Sequence, residues 1–257
     1  MDKNMLKDTA VSYVKEAADY IREQMKYTYG IDTKEDKDDL VTDVDRNVEK
    51  FFKDKISKNF SEHRLMGEEG SFENIKDLDG VVWILDPIDG TINFVHMGTN
   101  FAISVGIFED GVPLIGVIYD VMNRELFVSV KGEGAYLNDQ RLPLLKERPL
   151  DEALVSFNTG WVLKDKDLQS VVEQVRGTRS YGVAAIEIAY VAAGRLDAYI
   201  SKKLAPWDIA GGCALLNEVG GVATNYRGEK LTFLDVDTLF AANPSIYKQI
   251  EKELKSR

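Results

Sequence analysis

The chain has 257 residues, 44% of them hydrophobic, so it can bury a large core in one domain or in two closely packed ones. A net charge of −11 and the lack of a Lys/Arg-rich run argue against nucleic acid as the main ligand. One cysteine, Cys213, excludes an internal disulfide, so we expect a reducing, cytoplasmic location. The N-terminus lacks a signal-peptide core, and no segment reaches the roughly 18 apolar residues of a membrane span.

Two amphipathic helices are predicted at the beginning of the chain. Apolar residues recur at helical spacing from about 2 to 27, and again after residue 45. Between the helices, residues 28–39 carry mixed charges without an apolar period, which predicts an exposed loop in which Lys34 has an unknown role. Asp43 and Asp45 lie near the start of the second helix. They are either acids favoured by the helix dipole or members of a site.

The motif Gly67-Glu68-Glu69-Gly70 follows a short apolar stretch that we interpret as a strand. Glycines on both sides of two glutamates indicate that another group approaches the backbone closely. A solvated acidic turn is the alternative.

A second acidic motif follows five apolar residues that predict a buried strand. Pro87 is expected to end this strand because it lacks a backbone donor, and Gly90 allows a tight turn. Asp86 and Asp89 flank the turn, and Thr91 begins a short helical turn. This arrangement can hold hard cations on one side and an anion at free N–H groups on the other, or it is a solvated turn.

An antiparallel meander is predicted next, because apolar runs alternate with glycine-bearing turns at short spacing. Gly106 and Gly116 lie inside its strands, where glycine eases packing against a helix. The predicted strands are 101–108, 112–120, 125–130 and 135–137.

From about residue 150 the predicted elements alternate between strand and helix. We therefore divide the chain into an α+β half, 1–149, with metal-binding motifs, and an α/β half, 150–257, that completes one compact catalytic unit. Asp208 lies near the start of a helix that Pro206 opens. The predicted elements are strands 153–157, 196–200 and 238–242, helices 165–175, 183–193, 206–219 and one from Pro244, a loop at 177–182 and a hairpin about 227–228.

Five acids lie at the ends of predicted elements, namely Asp45, Glu68, Asp86, Asp89 and Asp208. If the fold brings them together, divalent cations with oxygen ligands would relieve their repulsion. Two histidines and one cysteine do not supply a zinc site, so Mg²⁺ is the better match. Such a site indicates metal-assisted attack of water on a phosphoryl group.

Three motifs occur in one order: Gly67-Glu68-Glu69, then Trp83 to Phe94 (WILDPIDGTINF), then Trp207 to Gly212 (WDIAGG). In this order and spacing they resemble the inositol monophosphatase family. The resemblance implies an α/β fold of the α+β type, a layered αβαβα sandwich with an N-terminal antiparallel meander sheet and a smaller C-terminal mixed sheet. It also implies a usually homodimeric, Mg²⁺-dependent phosphomonoesterase that is commonly inhibited by Li⁺.

Family roles transfer to this sequence by motif position and imply two to three Mg²⁺ ions. Glu68, Asp86 and the carbonyl of Ile88 would hold the first ion, and Asp86, Asp89 and Asp208 the second. A third, weaker ion would lie near Glu68, and Asp45 would reach it through water.

The same resemblance implies that Thr91 and Glu68 orient and deprotonate the attacking water. The N–H groups of Gly90 and Thr91 would hold the phosphate, and Asp89 and Asp208 would also contact substrate.

One position departs from the family pattern. Relatives that hydrolyse inositol phosphate carry a glutamate seven residues before the aspartate of the Trp-Asp motif, where this chain has Ser201, followed by Lys202 and Lys203. The loss of an acceptor and the gain of positive charge would loosen the preference for inositol. Alternatively, the sequence of this loop differs without any effect on substrate preference.

Inositol 1-phosphate is the expected substrate, with NADP(H), 3′-phosphoadenosine 5′-phosphate and fructose 1,6-bisphosphate as alternatives. Some family members act instead as regulatory proteins that bind RNA or the transcription machinery. A two-carboxylate glycosidase is a third class, which needs no metal.

Overall fold

The computed structural model describes residues 2–33, 40–70 and 75–255. The described residues form a two-stranded hairpin, a seven-stranded sheet, a five-stranded sheet and eight α-helices. The helices are α1 (Lys3–Gln24), α2 (Asp43–Asn59), α3 (Thr91–Met97), α4 (Thr159–Val162), α5 (Lys166–Gln174), α6 (Ala184–Ala192), α7 (Pro206–Glu218) and α8 (Pro244–Lys255).

The strands are β1 (Ile31–Thr33), β2 (Leu40–Thr42), β3 (Arg64–Gly67), β4 (Val81–Asp89), β5 (Ala102–Glu109), β6 (Val112–Asp120), β7 (Glu125–Val130), β8 (Gly134–Leu137), β9 (Gln140–Arg141), β10 (Leu154–Phe157), β11 (Gly177–Arg179), β12 (Ala198–Leu204), β13 (Val222–Thr224) and β14 (Asp237–Ala242). The seven-stranded sheet runs β3 to β9 in chain order. It is antiparallel except where β3 and β4 pair in parallel. The five-stranded sheet has the order β11-β10-β12-β14-β13 and is mixed.

Helices and sheets alternate in five layers, which confirms the predicted αβαβα sandwich. Helices α1 and α2 bury their apolar faces on the seven-stranded sheet, where Phe52 and Trp83 belong to one core. Helices α6 and α7 lie between the sheets, and their core joins Ile118 of β6 to Leu239 of β14. Helices α5 and α8 cover the outer face of the five-stranded sheet. None of the described helices is both long and apolar enough to cross a membrane.

The first two helices and the meander agree with the predictions to within a few residues. Helix α2 begins with a capping box, because the Thr42 hydroxyl accepts the Asp45 N–H while the Asp45 carboxylate accepts the Thr42 N–H. This cap explains why the acids near residue 45 are compatible with the start of a helix.

Pro87 does not end its strand, so that prediction was wrong. Strand β4 continues to Asp89, and its register with β5 shifts between Asp86 and Asp89. A bulge leaves a residue out of the hydrogen-bond ladder, so the missing N–H of proline costs nothing there.

Three further predictions need correction. Part of the predicted loop 28–39 forms β1, which pairs with β2, while Lys34 lies outside the described residues. The predicted loop 177–182 contains β11, a three-residue edge strand beside β10. The turn about 227–228 is present, but the strand that follows it begins only at Asp237.

Helix α7 approaches the seven-stranded sheet very closely because glycines lie at the contact. A Cβ added at Gly106 would lie 2.7 Å from the Cβ of Ala210, and one at Gly116 would lie 2.4 Å from the carbonyl oxygen of Gly211. The two strand glycines therefore ease packing against a helix, as their positions predict. This close approach brings the start of α7, with Asp208, towards the end of β4.

We predict that Gly116→Ala destabilises the protein by about 1–3 kcal/mol, because its methyl group would overlap a backbone carbonyl that cannot rotate away. Gly177→Ala is the matched control, since its nearest atom would lie at an ordinary 3.5 Å and its φ is not positive. Urea unfolding should show a lower midpoint with an unchanged slope for Gly116→Ala alone. Equal midpoints for the two variants would contradict the close contact.

Candidate metal centre

The predicted acids lie at the ends of neighbouring elements. Asp86 and Asp89 lie in the last four residues of β4 and are only 2% and 8% exposed. Glu68 directly follows β3, whose last residue pairs with Leu85 in parallel register. Asp208 occupies the third position of α7. The parallel β3–β4 pair therefore places Glu68 beside Asp86.

These carboxylates lie within electrostatic reach of one another. Burial raises the pKa of Asp86 well above its usual value, and the charges of Glu68, Asp89 and Asp208 raise it further. Burial also raises the pKa of Asp89, with Asp208 as the next cause, while a hydrogen bond from Ala185 opposes the rise. The site concentrates negative charge in a water-poor position, which makes it a strong cation attractor.

Asp45 joins the cluster from α2. It is fully buried, and burial raises the pKa of Asp45 to about 6, although hydrogen bonds from Thr42 act in the opposite direction. The Glu68 charge adds to the rise. One carboxylate oxygen, Oδ1, is buried and has no hydrogen-bond partner within the described ranges. An unsatisfied buried oxygen of this kind indicates that a water or an ion belongs there.

A backbone N–H group donates to each of three further carboxylates, those of Asp86, Asp89 and Asp208. The Ile88 N–H donates to Asp86 Oδ1 at 2.9 Å, and the Ala205 N–H donates to Asp208 Oδ2 at 2.7 Å. The Ala185 N–H at the start of α6 donates to Asp89 Oδ2 at 2.5 Å. Each of these bonds fixes the orientation of one carboxylate through a single oxygen.

The turn after β4 has the conformation that its glycine predicts. Gly90 has φ +89°, and a Cβ there would lie 2.7 Å from a methyl group of Val183. Thr91 begins α3, and its hydroxyl donates to the carbonyl oxygen of Ile88 at 3.1 Å. The hydroxyl proton of Thr91 is thus used in this hydrogen bond, and the lone pairs of the hydroxyl oxygen can still accept one.

Ser201 is only 5% exposed and lies at the bulge of β12, where its hydroxyl donates to the Lys203 carbonyl at 3.4 Å. Lys202 forms an ion pair with Asp165 and lies over the ring of Tyr226 at 3.8 Å. The predicted gain of positive charge beside the substrate stays a prediction, and at Lys202 the ion pair with Asp165 acts against it. Lys203 is exposed.

Sequence reasoning missed two buried carboxylates next to the site. Glu49 on α2 is fully buried and accepts the Glu69 N–H at 2.7 Å, so it supports the turn that carries Glu68. Glu187 on α6 is 3% exposed. A lone acid within an apolar helical pattern was the available signal at Glu187, in the stretch Ala184 to Tyr190.

The donor set fits Mg²⁺ better than a softer metal, since it consists of carboxylate and carbonyl oxygens without cysteine or paired histidine. Two further observations favour a bound cation: the Asp45 oxygen without a hydrogen-bond partner, and the repulsion between Asp86 and the neighbouring carboxylates. Within residues 2–33, 40–70 and 75–255, no three His, Cys, Asp or Glu side chains already form a ready-made metal-binding group. The assignment of individual ligands stays a prediction.

Comparison with known proteins identifies close relatives. The inositol-1-monophosphatase of Bacillus subtilis is 51% identical over 251 residues, which cover 96% of this chain and 95% of that protein. The Nus factor SuhB of Escherichia coli is 35% identical, covering 82% and 80% of the two chains.

Two solved structures share the fold. SaIMPase-II bound to inositol monophosphate superposes with a TM-score of 0.89 and 36% identity, covering 98% and 94% of the two chains. An IMPase/NADP phosphatase complexed with Mg²⁺ and phosphate superposes with a TM-score of 0.92 and 25% identity, covering 100% and 97%.

The model of the inositol monophosphatase family matches residues 2–257. On this match, and on the fold and acidic motifs described above, the chain belongs to the inositol monophosphatase family.

Proposed function

We propose that this protein is a Mg²⁺-dependent phosphomonoesterase whose substrate is inositol 1-phosphate. The observation that carries the proposal is the pair of buried carboxylates at Asp86 and Asp89, the pKa of each being raised by burial and then by neighbouring acids such as Asp208. Such a cluster is stable with its charges intact when cations occupy it. The Bacillus relative and the Mg²⁺ and phosphate complex of the 25% identical structure support this reading.

Glu68, Asp86 and the Ile88 carbonyl would hold one Mg²⁺, and Asp86, Asp89 and Asp208 a second. A third, weaker ion would lie near Glu68, with Asp45 contributing through water from its unpartnered oxygen. When bound, Mg²⁺ would act as a Lewis acid and neutralise negative charge on the phosphate.

Residues of the chain would position the attacking water. The Thr91 hydroxyl donates to the Ile88 carbonyl, so its oxygen would accept a hydrogen bond from the water. The Glu68 carboxylate would accept the proton that the water releases as its oxygen bonds to phosphorus. The bond from phosphorus to the ester oxygen would break in the same displacement, and the leaving alcohol oxygen would take up a proton from solvent water. The N–H groups of Gly90 and Thr91 would hold the phosphate oxygens at the turn where α3 begins.

The identity of the substrate alcohol rests on the relatives. The Bacillus protein supports inositol phosphate, and the name of the IMPase/NADP phosphatase supports NADP as the alternative. Ser201 and Asp208 would lie on the alcohol side of the site. The family also suggests a homodimer and inhibition by Li⁺, which we include in the proposal, together with the predicted cytoplasmic location.

A regulatory binding role is the second candidate, because a 35% identical relative is called Nus factor SuhB. The net charge of −11 disfavours direct binding of nucleic acid. The glycosidase alternative is not favoured by any observation at this site.

Asp89→Asn should lower kcat/KM for inositol 1-phosphate at least about 100-fold, and Glu68→Gln should lower it steeply, because each removes a charged oxygen with little change of volume. Phosphate release at saturating Mg²⁺ measures both. Asp8→Asn is the control, since Asp8 is 72% exposed on α1.

Near-normal turnover of either site variant would contradict the metal assignment. A pulldown with the inactive Asp89→Asn protein addresses the regulatory role, which should survive loss of the activity.

Thr91→Ala should lower kcat by about 10²-fold with little change in KM, because the hydroxyl would contact the attacking water and not the substrate. Thr91→Ser keeps the hydroxyl and should retain most of the activity. A raised KM with unchanged kcat would make Thr91 a substrate-binding residue instead.

Inositol 1-phosphate should give the highest kcat/KM among a panel that includes NADP, 3′-phosphoadenosine 5′-phosphate and fructose 1,6-bisphosphate. A chelator should abolish phosphate release from every member, and Mg²⁺ should restore it. If NADP or a bisphosphate is preferred, the inositol assignment fails while the phosphatase assignment stands.

A further inference from the structure

Glu187 is a buried carboxylate that the proposed function leaves unused. It lies in the first turns of α6 and is 3% exposed. Its Oε1 accepts the Ser156 hydroxyl of β10 at 2.9 Å and the Tyr181 N–H at 2.6 Å. Burial raises the pKa of Glu187, and the polar groups around its carboxylate, those of Tyr181 and Ser156 first, oppose the rise. Its two hydrogen-bond partners are a side-chain hydroxyl and a backbone amide, so Glu187 holds groups of the protein and not a cation.

The backbone that Glu187 holds is the segment 181–183, which leads into α6. Asn93 of α3 holds the same segment from the other side, because its Nδ2 donates to the Tyr181 carbonyl at 2.8 Å. The same amide also donates to the Asn100 carbonyl at 2.9 Å. Segment 181–183 is therefore tied both to the five-stranded sheet and to the helix that begins at Thr91.

This segment forms one wall of the proposed site. The Val183 side chain packs against Gly90 so closely that a Cβ on Gly90 would lie 2.7 Å from its methyl group. Two residues later, the Ala185 N–H donates to Asp89. The position of segment 181–183 thus determines both the wall beside the Gly90 turn and the donor that orients Asp89.

We propose that Glu187 is a positioning residue of the site, which fixes segment 181–183 and thereby the Gly90 turn and the Asp89 carboxylate. This inference rests on the proposed function. Burial of a carboxylate is unfavourable unless it is hydrogen-bonded, so the bonds from Ser156 and Tyr181 favour one loop conformation strongly. A shift of about 1 Å in a catalytic group can cost roughly 100-fold in rate.

A purely stabilising role is the alternative, and the chain offers a matched control for it. Glu218 at the end of α7 also accepts backbone N–H groups from a turn, at 3.0 Å from Gly132 and 2.9 Å from Gly134. That turn connects β7 and β8 and has no part in the site. Loss of Glu218 should lower stability without lowering the activity of the folded protein.

The experiment compares Glu187→Ala, Glu187→Gln and Glu218→Ala with the wild type. Three quantities are measured: kcat and KM for inositol 1-phosphate, the Kd for Mg²⁺ by calorimetry, and hydrogen exchange of amides 181–185. Glu187→Ala should lower kcat at least tenfold, raise the Kd for Mg²⁺ and speed exchange of these amides. Glu187→Gln should recover kcat to within about threefold, since its amide oxygen can accept the same two bonds as Oε1.

Glu218→Ala should leave kcat and the Kd for Mg²⁺ within twofold of the wild type. The proposal is overturned if Glu187→Ala keeps the wild-type kcat, or if its decrease in kcat is accounted for by the fraction of unfolded protein alone. It is also overturned if the kcat of Glu187→Gln is as low as that of Glu187→Ala. If Glu187→Ala does not fold, Ser156→Ala replaces it. Its kcat, Kd for Mg²⁺ and amide exchange rates should change in the same directions, each by two- to fivefold. Wild-type values there would also overturn the proposal.

The exchange measurement separates this inference from the proposed function. A wild type that neither binds Mg²⁺ nor releases phosphate would end the proposed function, and with it the catalytic meaning of Glu187. Faster exchange of amides 181–185 in Glu187→Ala would still support the inference that Glu187 restrains segment 181–183 through its hydrogen bonds.

Discussion

Repulsion between buried carboxylates is the constraint on which the rest of this structure depends. Two unit charges about 4 Å apart repel by about 4 kcal/mol at an effective dielectric constant of about 20, and burial adds a desolvation cost to each. Asp86 and Asp89 experience both effects. The fold opposes the repulsion with oriented N–H groups from Ile88 and Ala185, which keep one oxygen of each acid in place. Rigid donors of this kind preorganise a cation site because they need not move when it fills.

The five-layer architecture supplies those donors from separate elements. The helix layer between the sheets places the starts of α6 and α7 near the end of β4, and glycines at the contact with α7 allow the helix to approach closely. Larger residues at Gly106 or Gly116 would push α7 outward and carry Asp208 away from Asp86. Packing between helix and sheet therefore sets a distance that the chemistry of the site requires.

The acidic motifs were predictable because each combines a strand, a glycine and acids within a few residues. Local sequence predicts Asp86, Asp89 and Gly90 in this way, and it also predicts the start of the helix at Asp45. Local signals failed where tertiary context decides the outcome. The bulge at Pro87 depends on the neighbouring strand, β11 is too short to show a period, and the ion pair of Lys202 with Asp165 joins residues 37 positions apart. Glu187 was missed because its partners, Ser156 and Tyr181, come from β10 and a loop that are distant in sequence or outside its helix.

The hydrogen bond between Ala185 and Asp89 joins residues 96 positions apart in the chain. Ribosomes add about 5–20 residues per second, so Asp89 would leave the ribosome roughly 5–20 seconds before its donor. During that interval the nascent seven-stranded sheet would carry its acids without α6 and α7 to cover them. Water would solvate these carboxylates until the second half of the chain docks. Assembly of the site would therefore be among the last events of biosynthesis, and a chain that stalls before α6 would hold an open, hydrated acidic edge.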